Sequence, residues 1–170
     1  MGDYAEKLTR NCEVLNIAPP IDMVAGAVSC TPFSMRLWDH ATIIATTGAI
    51  VAGTCAITLT QDTDVTAAGD VIALAFTEVL TNEANVASSV LLPVVVASTD
   101  LLAVANAVYV IEVDADSMSD AVGAVTGNRF DVITVELSAP ANNDLVGVTV
   151  ILSQGRYTGA PASMKDAYID

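Results

Sequence analysis

Positive charge, histidine and aromatic rings are all scarce in this 170-residue chain, and each scarcity closes a route. Six Lys and Arg stand against 20 Asp and Glu, for a formal net charge of −14. Nucleic-acid binding needs a basic footprint that displaces counterions from phosphate. Lys7, Arg10, Arg156 and Lys165 lie near the ends, leaving Arg36 and Arg129 alone inside, so no basic cluster forms and nucleic acid is not expected as a partner. With one histidine, any Ser-His-Asp or Cys-His mechanism must run through His40. It sits in Trp38-Asp39-His40-Ala41, between two predicted strands, with Asp39 placed to orient the ring. No GxSxG elbow accompanies it, so a structural histidine at a strand boundary is the better account and the chain is not expected to be an enzyme.

Cysteine is sparse too. Cys12, Cys30 and Cys55 form no CxxC pair and meet no histidine cluster, which argues against zinc and against a disulfide framework. They read as buried free thiols of a protein made in a reducing cytosol. Long apolar runs are lacking: the longest, Val90 to Ala97, contains Pro93 and is far too short to span a bilayer. The opening Met-Gly-Asp-Tyr-Ala-Glu-Lys is too polar for a signal peptide, and Glu6 stands where a myristoylation motif wants Ser or Thr. No membrane partner is expected.

What the chain has in abundance is small apolar side chains. Apolar residues make up 53% and charged residues 15%. A domain of this size still exposes about a third of its unfolded-chain surface, so the apolar surplus has to be tolerated on the surface or covered by copies of itself or by a partner. Val, Ile and Thr favour pleated surfaces, because branching at Cβ restricts them in helices. From Ile21 onward, short apolar runs alternate with Gly, Asn, Asp or Ser. They predict strands at 22–29, 33–38, 41–47, 55–61, 71–77, 90–97, 108–113, 130–137 and 146–153, the spacing of a sandwich or barrel. Ile57 and Leu59 oppose Thr58 and Thr60; Ile133, Val135 and Leu137 oppose Thr134 and Glu136; Val148, Val150 and Leu152 oppose Thr149, Ile151 and Ser153. Glu112 falls on a solvated or interface face, and Val90 to Val96, apolar on both sides, reads as covered twice.

The expected architecture is therefore all-β: a single β-sandwich, jelly-roll-like, or a partly closed barrel. Residues 1–20 read as an N-terminal arm, 21–154 as the sandwich domain and 155–170 as a C-terminal arm. Pro19-Pro20 would end any helix begun near Tyr4, and Gly159 and Pro161 interrupt the tail.

Several acidic or glycine-rich stretches invite chemistry. Asp114, Asp116 and Asp120 are the only cation candidates. As a calcium loop beginning at Asp114 they fail, because Ser119 and Val125 replace the required Gly and Glu. Asp62 and Asp64 fail the same way, with Ala67 and Ala73 at those places. Acids capping a turn after a strand explain the first cluster better. Gly123 and Gly127 lack the Lys and Ser or Thr of a phosphate loop. No catalytic, cofactor or firm metal site emerges.

Several segments, taken in order, resemble a family of small tailed-phage virion proteins encoded close to the major capsid protein. They are Tyr4-Ala-Glu-Lys-Leu8, Trp38-Asp39-His40-Ala41-Thr42 and Thr58-Leu59-Thr60-Gln61-Asp62-Thr63-Asp64-Val65. Tyr109-Val-Ile-Glu112-Val-Asp114-Ala-Asp116, Arg129-Phe-Asp131-Val-Ile-Thr-Val135, Val148-Thr-Val-Ile-Leu152 and Arg156-Tyr157 continue the series. The resemblance implies a decoration or cement protein on a capsid exterior, made in the host cytoplasm. Its expected partners are the major capsid protein and further copies of itself, with a trimer favoured and no cofactor. Tyr4, Leu8, Arg10, Arg156, Tyr157 and Tyr168, all in the arms, are the interface candidates. The competing expectation is a carbohydrate- or cation-binding β-sandwich module, such as a host-surface adhesin.

Overall fold

Alternating Val, Ile and Thr build two stacked sheets. The computed structural model describes residues 12–23, 26–50, 55–66, 71–76, 79–83, 92–94, 99–102, 104–118, 130–138 and 144–155. In chain order the strands are β1 (Cys12–Asp22), β2 (Val28–Ser29), β3 (Phe33–Ser34), β4 (Trp38–Thr47), β5 (Cys55–Asp62) and β6 (Ile72–Leu74). They continue with β7 (Val79–Glu83), β8 (Leu92–Val94), β9 (Thr99–Leu102), β10 (Ala107–Asp114), β11 (Val132–Leu137) and β12 (Leu145–Gly155). The first sheet has the order β1-β12-β4-β10-β7-β8 and the second β2-β11-β5-β6, with β3 also pairing β11 and β9 also pairing β5. Neighbours run antiparallel. This is the expected all-β sandwich; the two sheets stay separate, so the barrel alternative falls.

The core lies between the sheets and takes one side of each strand. Ile43 and Ala45 of β4, Ile111 and Val113 of β10, and Val148, Val150 and Leu152 of β12 belong to one buried cluster with Ile57 and Leu59 of β5 and Ile133, Val135 and Leu137 of β11. Each buried Val, Leu or Ile contributes about 1.5–3 kcal/mol relative to exposure. Thr58, Thr60, Thr134, Glu136, Thr149, Ile151 and Ser153 point the other way and are partly exposed, as the alternation predicts. Within the predicted stretches 90–97 and 71–77, strand is described only at β8 and β6.

The largest difference from the sequence reading is at the N-terminus. Residues 12–20, assigned there to an arm, form most of β1, which pairs with β12 from Cys12↔Ser153 to Asp22↔Leu145 and buries Leu15, Ile17 and Ala18. Pro19 and Pro20 hid this strand, because proline cannot donate to a ladder. It is tolerated here because β1 is an edge strand whose register shifts between Asn16 and Ile21. Gly147 of β12 completes the fit: a Cβ there would lie 3.3 Å from the Pro20 nitrogen. The short strands β7 and β9 were missed as well. Residues 1–11 and 156–170 lie outside the described residues.

One buried polar group ties a turn to the core. Thr47 Oγ1 donates to the Val104 carbonyl (2.6 Å) and accepts from the Ala107 N–H (3.0 Å), while the Tyr109 hydroxyl accepts from the Val104 N–H (3.0 Å). Asn106 holds this turn with φ +54°, a left-handed conformation that asparagine tolerates better than most residues.

The three cysteines are thiols outside any disulfide. Cys30 and Cys55 are buried, whereas Cys12 is only partly so. Burial, then the charge of Glu136, pushes the Cys30 thiol up to about 12; burial, then Asp144, pushes Cys55 up to about 11. Because the thiolate is the reactive species, a thiol reagent at pH 8 should label Cys12 of the native protein first. Cys30 and Cys55 should react only on unfolding, which mass spectrometry of labelled peptides checks.

Candidate functional site

A polar cluster stands on the outer face of the first sheet, where β4 and β10 run side by side. The register pairs Asp114 with His40 and Glu112 with Thr42, and strand alternation puts all four side chains on the same face. His40 Nδ1 lies 2.7 Å from Asp114 Oδ1, and His40 Nε2 contacts Glu112 Oε2. Thr42 Oγ1 donates to the same Glu112 oxygen (3.0 Å). The His40 side chain is 20% exposed, Glu112 45% and Asp114 73%, so the ring is sheltered beneath two wetter carboxylates. Partial burial by itself lowers the imidazole pKa. The hydrogen bonds to Asp114 and Glu112, with their charges, outweigh it and leave the pKa raised above the ordinary 6.5.

The sequence reading singled out His40 but paired it with Asp39. Asp39 is exposed, and both ring nitrogens are taken by carboxylates of the neighbouring strand. Across the other side of β4, the register partner of His40 is Ser153 of β12, so Ser153, His40 and Asp114 form a row over three strands. That row is not arranged as a hydrolytic triad. The ring nitrogen that would face the nucleophile is occupied by Glu112.

Of the cation candidates, Asp114 is committed to His40. Asp116 is exposed in a 3-10 turn spanning Ala115–Ser117, and Asp120 lies outside the described residues. The turn is closed by Ser117 Oγ donating to the Asp114 carbonyl (2.6 Å), with no cap bond from the Asp114 side chain. Among the described residues, no group of three or more His, Cys, Asp or Glu could hold a metal ion. The interface candidates Tyr4, Leu8, Arg10, Arg156, Tyr157 and Tyr168 all lie outside the described residues, as does the Gly123–Gly127 stretch.

Beside the cluster the outer face turns apolar. The row through Thr42 reads Val14, Ile151, Thr42, Glu112, and the next reads Asn16, Thr149, Ile44, Val110, Leu80. Val108 and Thr46 follow. Val14 is 51% exposed; Ile44, Val108, Val110, Ile151 and Leu80 are half-buried. A solvated face of an antiparallel sheet is ordinarily polar, and this one is Val, Ile and Thr at its centre. The sequence reading singled out Glu112 on this face but left the apolar rows unassembled, since they exist only once five strands are in register.

The fold is similar to that of the SPBc2 prophage-derived protein YomS. The likeness has a TM-score of 0.52 and 11% identity over 85% of this chain and 94% of that one. No family model matches the sequence, and no curated protein matches it. No helix among the described residues is long and apolar enough to cross a membrane.

Proposed function

We propose that this chain is a structural phage protein of the capsid decoration or cement type, acting by contact between subunits and carrying out no catalysis. The observation that carries the reading is the Val-, Ile- and Thr-lined outer face of the first sheet, centred on Ile44 and Val110. Strand order supports it. β1-β12-β4-β10 against β2/β3-β11-β5-β9, with β6 to β8 inserted between β5 and β9, is the order a jelly roll would have, an architecture found among viral capsid domains. The likeness to a prophage-derived fold and the sequence resemblance to tailed-phage virion proteins point the same way.

In this reading the outer face is covered by another copy, with a trimer favoured, and the acidic body rests on the major capsid protein at the exterior of the head. Burying about 300 Å² of apolar surface is worth about 7 kcal/mol before association costs. Such modest contacts become effective when repeated over a lattice. The native protein should sediment as an oligomer and co-sediment with heads that lack it. The double variant Ile44→Lys/Val110→Glu, which sets opposite charges across the β4–β10 pair, should keep its thermal midpoint within a few degrees yet run as a monomer. A native protein that is monomeric at micromolar concentration and ignores capsids would rule the reading out.

A further inference from the structure

A histidine ring offers a donor on each nitrogen only when protonated; the neutral ring has one donor and one acceptor. His40 faces a carboxylate oxygen with each nitrogen, Asp114 at Nδ1 and Glu112 at Nε2. An ionised carboxylate only accepts, so a neutral ring would set its lone pair against one of the two. We infer that His40 is held as an imidazolium and works as a proton-operated clasp between β4 and β10, closed while the ring carries both protons and opened when it gives one to solvent. This goes beyond the assembly reading and stands without it.

Among the described residues of the first sheet, His40 is the sole group that can carry positive charge. None of the strands of the first sheet, β1, β12, β4, β10, β7 and β8, contains Lys or Arg. From β10 the ring is faced by Glu112 and Asp114, two residues apart on one face. From β12 its register partner is the uncharged Ser153, with Cys12 of β1 beyond it. On β4 itself, Thr42 braces Glu112 and Asp39 is exposed. Remove the ring's second proton and two like charges stand side by side with no counter-charge from the sheet.

The sign follows from the raised folded-state pKa. The clasp contributes its full stability below the unfolded value of about 6.5 and loses it as the pH rises through the folded value. Because His40 is the sole histidine, its imidazole nitrogens are assigned without ambiguity in a long-range ¹H–¹⁵N NMR spectrum. At pH 5.5 both nitrogens of the native protein should show protonated shifts, with a titration midpoint above 6.5. Glu112→Gln and Asp114→Asn should each lower that midpoint, and the double variant should lower it further, since both facing charges are then gone. A native midpoint at or below 6.5, or one unmoved by both single variants, would overturn the clasp. As a second readout, the urea midpoint of the native protein should fall between pH 6 and pH 8, while that of His40→Gln should not. An equal fall in both would also overturn it.

Discussion

Ile17→Asp is expected to prevent the sandwich from folding, whereas Val14→Asp, three residues earlier on the same strand, is expected to leave it folded. Ile17 is 3% exposed and belongs to the core cluster, while Val14 is 51% exposed on the outer face. Truncating a buried isoleucine already costs about 2–5 kcal/mol. An aspartate adds the penalty of burying a carboxylate with no partner designed for it. Against a typical total of about 5–15 kcal/mol, that loss is decisive. Circular dichroism and urea melts of the two variants test whether β1 is part of the sandwich or a dispensable arm. Equal tolerance of both substitutions would return residues 12–20 to the arm.

Phe33→Ala carries the second-largest expected loss, about 3–5 kcal/mol, the range for emptying a buried phenylalanine site. Phe33 is fully buried although β3 is only two residues long, and its backbone pairs with Ile133 of β11. The cavity would open among Phe33's core neighbours, where large, fully buried side chains such as Met35 and Ile133 also sit. A short strand contributes few ladder hydrogen bonds, so its anchoring rests on this one ring. Calorimetry should show a thermal midpoint lower by about 6–20 °C, given that about 1 kcal/mol moves the midpoint of a domain this size by roughly 2–4 °C. A shift of under three degrees would mean that Phe33 is not a core anchor.

The structure agrees with the chain text on which side chains alternate inward, but not on every strand's bounds: the stretches predicted at 22–29 and 33–38 hold only the start of Trp38's strand, the end of β1 and the two-residue strands β2 and β3. Alternation in Ile57–Leu59, Ile133–Leu137 and Val148–Leu152 marks which side chains are buried without any knowledge of neighbours, because successive residues of a strand point to opposite faces. Glu112 was placed on an open face by the same rule, and its exposure bears this out. Where local signals conflict with context, context wins. Pro19-Pro20 argues against a strand in isolation, yet at a sheet edge opposite Gly147 it is accommodated.

His40 shows the other boundary. Its uniqueness, and its position at the start of a strand, are plain from the residues alone. Its partners are not, because Asp39 is adjacent in the chain while Glu112 and Asp114 are more than seventy residues away. All-β class, acidic and apolar character and the inward-facing residues follow from composition and a two-residue period, which are properties of the chain itself. Strand order, the β4–β10 register that builds the His40 cluster and the apolar outer face depend on pairing between distant segments. Hydrogen bonding between extended chains is equally possible in many registers, and only the packing of the two sheets selects one.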